Sequence, residues 1–202
     1  MADSDSLDTY RSKRDFTKTS EPPGKKGASD QQKRIWVIQK HAASTLHYDF
    51  RIEVDGVMKS WAVPKGPSTD PSVKRLAAPT EDHPLDYADF EGAIPEGEYG
   101  GGTVIVWDAG RYSNARTNED GGEMPMADCY EDGKIEISLA GKKLRGGYVL
   151  IRTGQDKSGR ARWLLKKVKD DQADAARDPV RDEPQSVLSG RTIEQVAEQE
   201  GK

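Results

Sequence analysis

The chain has 202 residues, 34% of them hydrophobic and 33% charged, with a formal net charge of −4. That length carries one domain of about 130 to 150 residues with polar flanks, and the acidic balance excludes a protein that coats duplex nucleic acid through its total charge. No apolar run approaches the roughly 18 to 20 residues that span a bilayer, so no membrane partner is expected.

Residues 1–33 are polar, with Arg11, Lys13, Arg14, Lys18, Lys25, Lys26 and Lys33 around the turn E-P-P-G-K-K-G. Read alone they make a solvated arm, or a basic arm that follows a nucleic-acid backbone. From Arg34 the pattern changes to strands and holds to about residue 169. R-I-W-V-I-Q-K reads as a buried strand. L-H-Y-D-F-R-I-E-V alternates, with Leu46, Tyr48, Phe50, Ile52 and Val54 on one face and His47, Asp49, Arg51 and Glu53 on the other. Asp55-Gly56 predicts a tight hairpin into V-M-K-S-W-A-V. Further strands are predicted at 103–107, 134–139, 148–152 and 162–168, with 20 glycines and 11 prolines supplying turns. Many short strands with glycine-rich connections predict a mainly β fold, a closed or nearly closed barrel with a few short flanking helices. Residues 170–202 are charged and proline-interrupted, and the spacing of Thr192 to Gln195 predicts a capping box at the start of a short helix.

The acidic N-terminal residues lack an apolar signal core, and Cys129, the single cysteine, can form no internal disulfide and hold no zinc cluster. A cytoplasmic, monomeric protein is the expectation.

The three histidines all fall in one short stretch, His41 and His47 bracketing H-A-A-S-T-L-H and His83 lying in E-D-H-P-L-D-Y. On a strand, His47, Asp49 and Arg51 share a face. His41, upstream of a short connection, can return to the same mouth. Two imidazoles and a carboxylate form a three-ligand set with open positions, suited to manganese, zinc, iron or nickel, and ligand type alone does not choose among them. Arg51 can clamp two phosphate oxygens. His83 offers an anion contact or a general acid, and Tyr87 a hydrogen bond to a phosphoryl oxygen; Lys65 and Arg75 add positive charge nearby. A half-buried strand with water on one side would give the same alternation, and Tyr87 could simply pack. Two other motifs fail. V-D-G at 54–56 is similar to the nucleotidyltransferase motif K-x-D-G, but Glu53 stands where the nucleophilic lysine must be. E-G-E-Y-G-G-G-T lacks the Lys-Ser/Thr pair of a phosphate-binding loop.

The phrases R-D-F, Q-K-H, L-H-Y-D-F-R, K-S-W-A-V-P-K-G-P, E-D-H-P-L-D-Y-A-D-F-E-G, I-P-x-G-x-Y-G, V-I-V-W-D and V-L-I-R-T together resemble the 3′-phosphoesterase domain of bacterial DNA ligase D and its stand-alone relatives. The resemblance implies a β-barrel enzyme, dependent on manganese (with cobalt or zinc as other divalent metals), that trims the 3′ end of a primer strand. It removes a terminal ribonucleoside, then the remaining 3′-phosphate, and leaves a 3′-hydroxyl. It implies that His41, His47 and Asp49 hold the metal and that Arg51, His83 and Tyr87 contact the scissile phosphate. Gln39, Lys65, Arg75 and Glu81 match further active-site positions, as do Arg14, Asp15 and Glu21, which places the middle of the N-terminal arm beside the site. The polymerase and ligase parts of the larger protein are not in the sequence, so a free-standing enzyme working with a separate ligase or polymerase is expected. Two other readings stay open: a non-haem iron oxygenase using His47, Asp49 and His83, and a non-catalytic barrel binding single strands through Trp36, Trp61 or Trp163.

Overall fold

The computed structural model describes residues 6–24 and 34–200. Its strands are β1 (Ile35–Ala42), β2 (Leu46–Val54), β3 (Val57–Val63), β4 (Lys74–Pro79), β5 (Gly92–Ile94), β6 (Gly102–Asn114), β7 (Lys134–Ala140), β8 (Arg145–Gln155) and β9 (Ala161–Lys167). Eight of them close antiparallel in the order β1-β2-β3-β4-β9-β8-β7-β6, with β6 returning to pair with β1, while β5 adds to the edge of β6. The expected closed barrel is the observed fold. Closure removes the exposed edges that an open antiparallel sheet would leave.

The apolar row of β2 faces the barrel interior. Tyr48, Phe50 and Ile52 pack there with Trp36, Trp61, Trp163, Leu150 and Leu165. All four tryptophans are at most 1% exposed, so none is a platform on which a single strand could stack. The β2–β3 turn is the predicted one: Asp55 and Gly56 take φ of 51° and 82°, the pair of left-handed residues that a two-residue hairpin matching strand twist requires. β6 runs longer than its 103–107 nucleus because it serves three partners, β5 at its start, β1 along most of its length and β7 at its end. It begins at Gly102, where φ is +139° and a Cβ would lie 2.1 Å from the Ala42 carbonyl oxygen; no other residue fits that crossing. β4 is not among the strands that the sequence pattern predicts. Only Ala77 of its six residues is buried, so no apolar alternation marks it, and its pairing with β9 makes it a strand.

A second layer covers the outer face of β1 and β2. The short helix α1 (Asp8–Ser12), the 3-10 turn Leu85–Asp89 and β5 enclose a small cluster of Tyr10, Tyr87, Phe90, Ile94 and Val104. The basic residues Lys25, Lys26 and Lys33 of the arm lie outside the described residues. Helix α2 (Met126–Asp132) precedes β7. The C-terminal segment wraps the barrel: Trp107 Nε1 and Lys143 Nζ both donate to the Glu183 carbonyl at 2.8 Å, just after α3 (Pro179–Asp182), and Val187 N donates to Val106 O at 2.9 Å. It ends in α4 (Ile193–Glu200), whose Ile193 and Val196 bury against Ile105. The predicted capping box is formed, Thr192 N donating to Gln195 Oε1 at 2.9 Å and Gln195 N to Thr192 Oγ1 at 3.3 Å. Among the described residues no helix is long and apolar enough to cross a membrane.

Candidate metal and phosphate site

Strand register assembles the ligand set. β1 and β2 pair with His41 opposite His47 and Gln39 opposite Asp49, so the two imidazoles become neighbours, with ring centroids 4.8 Å apart. Asp49, two residues beyond His47, projects on the same face. Its Oδ2 lies 3.6 Å from His41 Nδ1 and 3.5 Å from His47 Nε2. One donor atom from each residue falls within 4.8 Å of the others.

The far nitrogens decide what the near ones offer. His41 Nε2 lies 2.7 Å from the Gly100 carbonyl, and His47 Nδ1 lies 2.8 Å from the Thr45 carbonyl. A carbonyl only accepts, so each of those nitrogens carries a proton. In the neutral ring the nitrogen facing Asp49 is then a lone pair. This orientation of an imidazole by a backbone acceptor is what metal-binding histidines need. The three residues could therefore hold a divalent ion.

Electrostatics keep the carboxylate ready. Burial alone would raise the Asp49 pKa, but the Arg51 guanidinium and, when their rings are protonated, hydrogen bonds from His41 and His47 hold it well below the usual carboxylate range. The hydrogen bond to Asp49 in turn raises the His47 pKa against the opposing effect of burial.

Arg51 fixes the next layer. Its Nε donates to Gln39 Oε1 at 2.8 Å and its Nη2 to Asp49 Oδ2 at 3.1 Å. Gln39 is locked in turn, its amide donating to the Tyr87 and Phe90 carbonyls. Arg51 Nη1 points at His83 Nδ1, 3.2 Å away, yet that nitrogen is 2.9 Å from the Glu81 carbonyl and so carries a proton of its own. One guanidinium N–H thus faces a donor rather than an acceptor. His83 fills that direction, so a phosphoryl oxygen would meet Arg51 where the guanidinium lines the cleft. His83 is pressed between cations: burial, then Arg51, then Arg14 push its pKa well below that of free imidazole. It is neutral, and its Nε2 lone pair faces Arg14 Nη2 at 3.5 Å.

The N-terminal segment supplies the roof. Arg14 donates to Glu21 Oε1 at 3.0 Å and to Glu81 Oε1 at 3.2 Å. Glu21 also accepts the Tyr87 hydroxyl at 2.9 Å. Burial, with Glu21 adding to it, pushes the Tyr87 pKa well above the phenol range, so this hydroxyl stays a donor. The result is a cleft of about 250 Å³ lined by Arg14, Glu21, His41, His47, Asp49, Arg51, Glu81, His83, Tyr87 and Tyr99 among others.

Three of the sequence-derived residues lie elsewhere. Lys65 is exposed and outside the cleft lining, and Arg75 Nε donates to the Gly66 carbonyl at 3.0 Å. Asp15 Oδ1 accepts from the Thr17 amide and hydroxyl. Gln39 reaches the site through Arg51. The structure adds two residues that the sequence reading passed over. Tyr10 lies under Arg14, whose Cζ is 3.9 Å from its ring centroid, and edge-on to His83 at 5.1 Å; nothing in the local sequence marks it. Tyr99 lines the cleft mouth, and its only signal is its place in I-P-x-G-x-Y-G. His83 is not among the converging donors, which leaves the oxygenase triad without its second histidine.

A family model for the DNA ligase D 3′-phosphoesterase domain matches residues 39–152, more than half of the chain. The chain belongs to that family. It is 48% identical over 196 residues to the multifunctional non-homologous end joining protein LigD of Pseudomonas aeruginosa, covering 96% of this chain and 22% of that protein. It is 45% identical over 165 residues to the multifunctional non-homologous end joining DNA repair protein LigD of Mycobacterium tuberculosis, covering 82% of this chain and 20% of that protein. The LigD protein of Mycolicibacterium smegmatis is 42% identical over 167 residues, again 82% of this chain and 21% of the relative. The chain thus spans about a fifth of the length of the curated relatives it matches. The residues matched to the phosphoesterase family run from Gln39 and take in His41, His47, Asp49, Arg51, His83 and Tyr87.

Proposed function

We propose that this chain is a metal-dependent 3′-end-healing phosphoesterase of DNA and RNA primer strands. It removes a 3′-terminal ribonucleoside by hydrolysing the diester that joins it, and then removes the 3′-phosphate so formed, leaving a 3′-hydroxyl. The observation that carries the reading is the three-ligand cluster flanked by the Arg51 guanidinium in one cleft, in a family of phosphoesterase domains.

His41, His47 and Asp49 would hold the ion, with manganese the first candidate and cobalt or zinc the others. When bound, such an ion neutralises charge on a phosphoryl oxygen and acts as a Lewis acid. Arg51 would grip a second non-bridging oxygen from the cleft wall, while Gln39 and Asp49 keep its plane aimed. The Tyr87 hydroxyl, held protonated, donates to Glu21 Oε1 and would exchange that acceptor for a phosphoryl oxygen when substrate binds. His83 is neutral until the substrate arrives. Burial, then Arg51 and Arg14, depress its pKa; a bound phosphate offsets the two cations, favours a proton on the imidazole and prepares it to protonate the departing oxygen of each step, the 5′-oxygen in the diester step and the 3′-oxygen in the monoester step. In the diester step water adds to phosphorus and the bond to the 5′-oxygen of the terminal ribonucleoside breaks. In the monoester step the bond to the 3′-oxygen of the primer breaks. The 3′-hydroxyl product is what a polymerase or ligase consumes, so an activity of that class would act next.

An end-labelled primer–template bearing either a 3′-monoribonucleotide or a 3′-phosphate tests this across a panel of divalent metals. Conversion of both to a 3′-hydroxyl, lost in His41→Ala and Asp49→Ala, is the expected result. No conversion with any metal, or full activity in those variants, would overturn it.

A further inference from the structure

Tyr99 is the one exposed aromatic ring among the large exposed hydrophobic side chains of the described residues, at 45% of its free surface, and it lines the mouth of the phosphate cleft. Other aromatic side chains near the site have structural work. Tyr10 is fully buried with its hydroxyl given to the Pro22 carbonyl, and Tyr87 is committed to Glu21. The tryptophans are in the barrel core. An exposed aromatic residue scattered over a surface needs no account; one at the lip of a site that takes the end of a polynucleotide does.

The ring is also pre-positioned. The turn that carries it is closed at both ends, Glu98 N donating to Pro95 O at 3.2 Å and Gly101 N to Glu98 O at 3.0 Å. The next residue, Gly100, gives its carbonyl to His41 Nε2, so the turn is tied directly to the ligand strand. The Tyr99 hydroxyl is held by Glu81 Oε2 and by Lys13 Nζ, each at 3.3 Å. Lys13 Nζ stands 4.7 Å from the ring centroid and Arg14 Cζ 5.3 Å from it. The polar tip is anchored and the apolar body is left to solvent. A platform fixed in this way loses little freedom when it binds.

Building on the phosphoesterase reading, we propose that Tyr99 is a specificity-determining residue that stacks against the base of the nucleotide whose 3′-phosphate enters the cleft. Stacking on an aromatic ring is tolerant of base identity, because every base presents a π-face. It would let the enzyme accept any terminal sequence while requiring that a base be present. The phosphate chemistry stays with Arg51 and the ligand set; Tyr99 acts on binding, through KM rather than kcat.

The test compares primers ending in a 3′-phosphate on a normal nucleotide or on an abasic tetrahydrofuran residue, with wild type, Tyr99→Phe and Tyr99→Ala. On the normal primer Tyr99→Ala should raise KM by about tenfold, in the range that loss of one base–aromatic contact produces, with kcat unchanged. Tyr99→Phe should retain most of the wild-type KM. On the abasic primer wild type and Tyr99→Ala should be equal. A terminal 2-aminopurine gives a readout that needs no turnover: its fluorescence should be quenched on binding to wild type and not to Tyr99→Ala. An equal KM penalty on both primers, a fall in kcat alone, or quenching that survives Tyr99→Ala would each overturn the proposal. Absence of turnover in wild type with every metal would overturn the phosphoesterase reading instead, and the quenching experiment would still judge the ring.

Discussion

The two faces of β2 are both buried and are held in opposite ways. On the inner face Tyr48, Phe50 and Ile52 lose their surface to the barrel core through packing that has no preferred direction. On the outer face Asp49, Arg51 and Glu53 are at most 5% exposed, and every contact there is directional: a carboxylate shared by two imidazoles and a guanidinium, a guanidinium shared by Gln39 and Asp49. The inner face tolerates changes that keep volume. The outer face tolerates almost none, because removing one partner strands another buried charge. Stability is built mainly on one side of a single strand, and the proposed chemistry lies on the other.

That division can be broken most severely on the outer face. His41→Ala should reduce turnover to background in the primer assay and cost less stability than a core truncation, since Asp49 keeps His47 and Arg51 as partners. Phe50→Ala, on the inner face, should do the reverse. A cost of about 3–5 kcal/mol in chemical denaturation is expected, with the folded fraction keeping its rate per molecule. Arg51→Lys sharpens the contrast, because charge is retained and the planar fork is lost. A fall in kcat on the order of 10²-fold is expected, measurable with the 3′-phosphate primer under saturating metal.

Acid titration separates the faces more gently. The folded His83 pKa is depressed, so the unfolded chain binds the proton more readily. The stability this neutral ring supports is present above the ordinary imidazole pKa of about 6.5 and is lost as pH falls through that value. His47, whose pKa is raised, pulls the opposite way, so wild type alone cannot isolate the effect. His83→Gln should lose less stability than wild type between about pH 7 and pH 5.5, read by denaturant midpoints at each pH; an equal loss would show that His83 is not compressed between its cations. The smallest effect belongs to the periphery. Thr192→Ala removes one half of a capping box and should cost about 0.5–2 kcal/mol with no change in the primer assay.

Much of this was legible in the sequence. The alternation of β2 named the inner row, Asp55-Gly56 named the turn, and the Thr192–Gln195 spacing named a helix start, because each is a short-range pattern with one structural solution. Both histidines and Asp49 were legible for the same reason, two of them sharing a strand face. The burial of that face was not, since its cover comes from residues 6–24 and 80–90, whose packing depends on contacts across some 70 positions, such as Arg14 with Glu81 and His83. Tyr10 is invisible for that reason: its neighbours Arg14 and His83 meet it only in the fold. β4 escaped notice because its pairing with β9 spans the chain and leaves no local trace. Lys65 and Arg75, expected near the site from their charge and from the family resemblance, are not among the residues lining the cleft.

Manganese electron paramagnetic resonance on the purified chain tests the central claim most directly, because it reads the ligand set without requiring turnover. The account requires one tightly held ion per chain in wild type, its signal lost in His41→Ala and in Asp49→Asn and broadened or shifted when a 3′-phosphorylated oligonucleotide is added. An ion that binds equally well to both variants, or a signal indifferent to the oligonucleotide, would contradict it.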